Sequence, residues 1–221
     1  MKEEKILRFG VIGAGRIGKI HAENLANRVP GAEVAAIADV NLEMAQEAAA
    51  RLRIPAVYAD YHQILADPSI DAVAICSSTD THAHIVVEAA QAGKHIFCEK
   101  PIDHDLAKID AALEAVKKAG VKLQIGFNRR FDPNFAHVRE LVAQGKVGDL
   151  HILRITSRDP APPPVSYVKV SGGMFLDMTI HDFDMARYLS GSEVEEVYVA
   201  AGVLVDPGIG EAGDADTAII T

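Results

Sequence analysis

The chain has 221 residues, 49% of them hydrophobic and 24% charged, and carries a formal net charge of −9. That length holds one large domain or two modest ones with a real core. The acidic balance argues against nucleic acid or an anionic membrane surface as partner, and no apolar run is long enough to span a bilayer.

The N-terminus, MKEEKILRFG, lacks the long apolar segment of a secretory signal, so the cytoplasm is the expected location. The first apolar run, residues 6–12, stops at Gly13-Ala14-Gly15-Arg16-Ile17-Gly18. Ile17, Ile20, His21 and Leu25 then open a helical pattern. G-x-G-x-x-G after a strand and opening a helix is a dinucleotide-binding turn. Gly13 makes the tight turn, Gly15 lets a pyrophosphate approach bare backbone, and Gly18 lets the helix pack close on the strand. The helix N-terminus adds N–H groups and partial positive charge. Glycine-rich turns are common, and an α/β domain that binds no nucleotide is the competing reading. The weight comes from a second apolar run, residues 34–38, which ends in Asp39 about 20 residues past Gly18, where a carboxylate accepts from an adenine ribose. Val40 and Asn41 follow it, with no arginine to meet a 2′-phosphate, which predicts NAD over NADP.

Residues 41–53 read as a helix with Asn41 as N-cap and Leu42, Ala45, Ala49 and Leu52 on one face. A short strand at 56–58 and a helical turn at 61–66 precede the break Asp67-Pro68-Ser69. Residues 71–76 form a near-continuous apolar run, as a strand covered on both faces does. Ser77-Ser78-Thr79-Asp80-Thr81 leads into a helix through Ala92 that Gly93 ends. KHIFCEKP is the next strand and its exit, residues 105–119 an amphipathic helix ended by Gly120, and residues 121–127 a sixth strand. Such alternation means α/β, a doubly wound parallel sheet with right-handed crossovers, over residues 1–127. Cys76 and Cys98 each close an apolar run and are expected as reduced, buried filler rather than a disulfide or a catalytic thiol.

Beyond residue 127 the text turns α+β. A helix over 133–144 leads to Gly145-Lys146-Val147-Gly148 and a strand at 151–156. A proline-rich loop from Asp159 and a helix over about 175–189 follow. The strand-like runs 194–205 and 214–221 are expected as antiparallel neighbours across a Gly/Pro/Asp turn.

In an open parallel sheet ligands sit outside the carboxyl ends of the strands. Those ends carry residues 13–18, 77–81, 99–101 and 128–130. Ser77 and Thr79 suit a cofactor ribose or phosphate, and helix capping by Thr79 or Asp80 serves equally well. Lys100, at the exit of a buried strand, can hydrogen-bond a substrate oxygen as its proton leaves; an ion pair with its neighbour is the even alternative. Asp177, His181 and Asp184 place carboxylate, imidazole and carboxylate on one helix face, the setting of a general base. Metal binding is the rival there, weakened because no thiolate or second well-placed histidine is near and His82 and His84 lie in the other domain.

GVIGAGRIG at the start, CEKP near residue 100 and GGMFLDMTIHDFD near residue 180 resemble the glucose–fructose oxidoreductase/inositol dehydrogenase family of NAD(P)-dependent enzymes. GFNRRFD, RITSRDPAPPP and DMTIHDFDMARYL look most like its inositol 2-dehydrogenase branch, and the resemblance covers essentially all of the chain. It implies a Rossmann domain over residues 1–127 that binds NAD, and over 128–221 a partial α+β substrate and oligomerisation domain with an open-faced antiparallel sheet. By the same resemblance Lys100, Asp177 and His181 are the catalytic trio. Gly13, Gly15, Arg16, Ile17, Gly18, Asp39, Ser77, Thr79, His82 and Glu99 face the cofactor. Asn128, Arg129, Asp159 and Asp184 join the trio around the substrate. The implied reaction is oxidation of a secondary alcohol of a cyclic polyol, myo-inositol to its 2-ketone first. A sibling sugar dehydrogenase or reductase and a non-catalytic NAD-sensing regulator are the alternatives. No metal, nucleic-acid or membrane partner is implied, and the assembly is a homo-oligomer, dimer or tetramer. Family members run on well past this length, so the chain reads as a piece of a longer enzyme. Made alone, it is expected to bind NAD, to oxidise polyols poorly, and to associate through the edge of its last strand.

Overall fold

The structure, a computed structural model, describes residues 5–221. It divides into a first unit ending at Gly126 and a second, Phe127–Thr221. The first unit runs β1 (Leu7–Ile12), α1 (Arg16–Asn27), β2 (Ala32–Ala38), α2 (Leu42–Leu52), β3 (Ala56–Tyr58), α3 (His62–Ala66), β4 (Ala72–Ile75), α4 (Thr79–Gln91), β5 (His95–Cys98), α5 (Leu106–Ala119) and β6 (Leu123–Ile125). All six strands are parallel, in the order β3-β2-β1-β4-β5-β6. The order reverses between β1 and β4, the point at which a doubly wound sheet opens a ligand crevice.

The sheet is double-faced because neighbouring residues of each strand feed different cores. Ile12, Ala36, Ala38, Val73 and Ile75 join one cluster with Ala83, Val86, Ala89 and Ala90 of α4 and Ala112 and Val116 of α5. Val11, Val34, Ile37 and Ala74 join another with Ala22 of α1 and Ala45, Ala48 and Ala49 of α2. Period-two alternation sends successive side chains to opposite faces, so an unbroken apolar strand buries both. Alanine on the helix faces lets them lie close to the sheet, while Ile37, Ile75 and Val11 are fully buried and each contributes about 1.5–3 kcal/mol. Asn41 caps α2 as expected, its side chain accepting from the Met44 N–H at 3.4 Å. Cys76 and Cys98 are free and buried, and burial pushes both thiols well above the usual range. The start of α4 differs from expectation. Ser78 holds the N-cap position without a side-chain cap bond, and Thr79 and Asp80 already lie in the first turn.

The second unit holds a 3-10 turn over Asn128–Phe131, then α6 (Pro133–Ala143), α7 (Val165–Ser171), a π-helical turn at Met174–Met178, α8 (Ile180–Ser190), β7 (Val199–Gly202), α9 (Pro207–Glu211) and β8 (Thr217–Ile220). β7 and β8 pair antiparallel, from Val199↔Ile220 to Gly202↔Thr217. Four features differ from the sequence reading. Residues 151–156 form no strand, because a strand needs a ladder partner and they join no sheet among the described residues. Residues 165–171 are helical despite three valines and a tyrosine, following directly on Pro164. The helix expected over 175–189 is split: the Thr179 N–H bonds the Met174 carbonyl five residues back at 2.8 Å, widening the turn before α8 starts. The paired strands are shorter than their apolar runs because the Asp216 carboxylate takes the N–H groups of Leu204, Val205 and Asp206 at 2.8, 2.8 and 2.9 Å and bends the chain. Their connection includes α9, capped by Asp206 with Pro207 in its first turn.

Candidate functional site

In the first unit the site begins where β1 ends. Gly13 has φ +101, a conformation that L side chains rarely adopt, and a Cβ there would stand 2.5 Å from the Cys76 carbonyl oxygen. Its N–H donates to the Ala38 carbonyl at 2.8 Å, so the turn is fastened to the ends of β2 and β4 together. A Cβ on Gly18 would lie 2.0 Å from the Gly13 carbonyl oxygen, which is the close helix-to-strand approach the sequence called for. Gly15 is the opposite case. It is the N-cap of α1 with no side-chain cap, and an added Cβ would meet nothing within 4 Å. Backbone N–H groups at an uncapped helix start, with open space beside Gly15, fit a pyrophosphate. Gly15, Arg16, Ile17 and Gly18 are the residues that would hold it. Asp39 sits beside them: Oδ2 accepts from the Ala14 N–H at 2.6 Å and Oδ1 from the Asn41 N–H at 2.8 Å. The carboxylate is thereby held at the rim of the glycine turn, where an adenine ribose would meet its remaining lone pairs.

The ends of β4 and β5 supply the next group. The Ser77 hydroxyl bonds the Thr81 hydroxyl at 2.7 Å, and Thr81 Oγ1 donates to the Ser78 carbonyl. Glu99 Oε1 accepts from His21 Nε2 at 2.7 Å and Oε2 from the Lys100 N–H at 3.2 Å. Lys100 is half-buried, and its bond to Pro101 is cis. His82 is a correction. It is 2% exposed, with Nδ1 2.8 Å from the Pro101 carbonyl oxygen and Nε2 3.1 Å from that of Ser77. Both ring nitrogens face backbone carbonyl oxygens, one of which takes the N–H of the neutral ring, so both polar edges of the imidazole are turned toward the chain rather than toward a cofactor. His21 is a residue that sequence reasoning passed over as one helical apolar position. Its partner lies 78 residues away, and no local pattern marks such a pair.

The second unit carries the remaining candidates. Asp177 lies in the π-helical turn and His181 in the first turn of α8, so the single α-helical face expected for them is interrupted at Thr179. Phe127 meets the His181 ring edge-on at 6.4 Å. Arg129 bonds Asp182 at 2.5 Å and Ser157 at 3.3 Å, and the Ser157 hydroxyl donates to the same Asp182 oxygen. Asp184 is a second correction. It is 7% exposed and both its oxygens take the fork of Arg130 at 2.6–3.1 Å, which leaves it holding an arginine rather than presenting an open carboxylate. That ion pair pushes the Arg130 guanidinium further up, and the same group lies 5.1 Å from the Tyr188 ring. Asn128 and Asp159 are exposed. The structure thus gathers the glycine turn, Asp39, Ser77 and Glu99 in one unit with Lys100, and Arg129 with Asp182 in the other, the unit that also carries Asp177 and His181. Among the described residues no group of His, Cys, Asp and Glu suits a metal ion, and no helix is long and apolar enough to cross a membrane.

Known proteins match both units. Residues 7–127 match the family described as an oxidoreductase family with an NAD-binding Rossmann fold, and residues 135–221 match the GFO/IDH/MocA C-terminal domain. A myo-inositol 2-dehydrogenase of Thermotoga maritima is 55% identical over 97% of this chain and 64% of its own length. Among solved structures, a probable dehydrogenase from Thermotoga maritima superposes with a TM-score of 0.95 at 56% identity, covering 97% of this chain and 64% of that one. A scyllo-inositol dehydrogenase from Lactobacillus casei, solved with bound NAD(H) and scyllo-inositol, gives 0.89 at 36% identity, covering 98% of this chain and 65% of that one. The chain therefore spans a little under two thirds of the length of these relatives.

Proposed function

Because the chain belongs to the oxidoreductase family with the NAD-binding Rossmann fold, we propose that it oxidises a secondary alcohol of a cyclic polyol, myo-inositol first, with NAD as cofactor. The observation that carries the substrate class is that relatives matching nearly the whole chain are named as inositol dehydrogenases. The open space before Gly15 and the anchored Asp39 carboxylate support the cofactor.

Bound NAD supplies the hydride acceptor; the chain's own residues manage the alcohol. His181 accepts the hydroxyl proton as general base. Asp177 orients that imidazole and stabilises its charged form. The Lys100 ammonium donates to the same oxygen and offsets the negative charge that grows there as the proton leaves. Arg129 is held by Asp182 and Ser157, two acceptors that fix its guanidinium for a polyol hydroxyl. Asn128 and Asp159 offer further hydrogen-bonding groups to the ring. We also place the protein in the cytoplasm, which the two free thiols support, and as a homo-oligomer, which light scattering tests.

The deciding experiment mixes a full-length version of the protein with NAD and a panel of inositol isomers and sugars and follows NADH absorbance. Reduction fastest with an inositol supports the reading. Reduction only with a sugar points to a sibling dehydrogenase, and NAD binding without reduction by any alcohol overturns catalysis in favour of sensing.

A further inference from the structure

Lys100 is flanked by two residues, and each of them is gripped by a histidine from a different helix. On one side His21 of α1 donates from Nε2 to Glu99 Oε1 at 2.7 Å, its ring tilted against Phe97 of β5 with centroids 4.8 Å apart. The two side chains are 25% and 14% exposed. The other Glu99 oxygen accepts the N–H of Lys100 itself at 3.2 Å, and the carboxylate presses on Gly126, where a Cβ would stand 3.0 Å away. On the other side the buried His82 of α4 has Nδ1 2.8 Å from the Pro101 carbonyl oxygen and Nε2 3.1 Å from that of Ser77, the shorter contact being the one that reaches the turn.

We propose that His21 and His82 are positioning residues that clamp the backbone of the 99–101 turn to α1 and α4 and so fix the point from which the Lys100 side chain reaches out. A lysine side chain is a flexible four-carbon stem, so its delivery is only as accurate as the backbone it starts from. Imidazole suits the task because it is a rigid ring whose N–H reaches the turn directly, without a water. Neither histidine has to touch cofactor or substrate. Both act through the turn, and they act on the same turn. Removing either one releases it, and removing the second adds little.

The activity arm of the test rests on the proposed role of Lys100; the other arm does not. The variants are His21→Ala, His21→Gln, which keeps a donor for Glu99, His82→Leu, which fills the buried space without one, and the double His21→Ala/His82→Leu. In the cofactor-free protein, amide hydrogen exchange at Lys100 is read by NMR. It should rise about tenfold or more in His21→Ala and in His82→Leu, the scale of one lost hydrogen bond to a charged or buried group, and His21→Gln should recover most of it. In turnover, kcat should fall roughly tenfold to a hundredfold in each single variant with the KM for NAD nearly unchanged, as displacement of a catalytic group by an ångström does. The double variant should be no slower than about the slower single. Unchanged exchange at Lys100, exchange that rises equally along β1 and β4, or kcat losses that multiply would each overturn the clamp. If the unmutated protein oxidises no polyol, the proposed function fails while the exchange arm still decides this inference.

Discussion

Gly15 and Gly18 stand three residues apart in one turn, and the structure predicts opposite consequences for the same substitution. At Gly18 an alanine Cβ would lie 2.0 Å from the Gly13 carbonyl oxygen, a backbone atom that cannot rotate away, well inside the 3.0 Å that real Cβ contacts keep. α1 has to lift off β1, an overpacking cost of about 1–3 kcal/mol. At about 2–4 °C per kcal/mol for a chain of this size, Gly18→Ala should lower Tm by roughly 2–12 °C. Gly15 has φ −67 and ψ −171, ordinary extended backbone, and open space where the methyl would go. There the loss of a good N-cap and the gain from a stiffer unfolded chain nearly cancel, leaving less than about 1 kcal/mol. The methyl does fill the approach to the helix N-terminus, so NAD affinity should fall roughly tenfold to a hundredfold, the worth of one charge-assisted hydrogen bond. Thermal melts by circular dichroism and NAD titrations by calorimetry read the two effects separately. Unchanged NAD affinity in Gly15→Ala, or an unchanged melt in Gly18→Ala, refutes the assignment of the turn.

Asp39→Ser should relax the preference for NAD, because it removes the carboxylate that repels a 2′-phosphate; equal affinity for NAD and NADP in the unmutated protein sinks that idea. In a full-length version, His181→Ala and Lys100→Met should each lower polyol turnover by about a hundredfold or more and leave dinucleotide binding intact; near-normal turnover from either means the trio is misassigned. The Asp216 carboxylate accepts three backbone N–H groups and the Thr217 hydroxyl, which hold its pKa far below the usual range. A depressed folded-state pKa contributes stability that is present above the unfolded value, near 4, and is lost as pH falls toward the folded one. Asp216→Asn should therefore melt below the unmutated protein at pH 7, with the gap closing on acidification below about pH 4, and a gap independent of pH argues against the carboxylate.

Much of the first unit was legible because its signals are local. The turn at residues 13–18, the apolar runs of β1, β2 and β4, the Asn41 cap and the glycine after α5 each act within a few residues of chain, and their order dictates the sheet. The candidate site was legible only as residue types at strand ends. The position of Gly15 follows from the turn that contains it, and that of Asp39 from the end of β2, where its carboxylate accepts from the turn's Ala14 N–H. What His82 does could not be read, because a histidine in a helix announces neither its burial nor that two carbonyls from different strand ends will face it.

The chain's own pattern therefore determined the alternation of strand and helix, the glycine turn, and a carboxylate at the end of the second strand. Backbone sterics, caps and period-two burial are short-range forces, and they are written in adjacent letters. Tertiary structure alone decided which polar side chains pair with one another. It joined His21 to Glu99, Arg129 to Asp182 and Arg130 to Asp184, pairs separated by 78, 53 and 54 residues. It also left residues 151–156 without a ladder and widened the turn before His181. A buried ion pair or a strand needs a partner at hydrogen-bond distance, and only the folded chain brings distant residues that close.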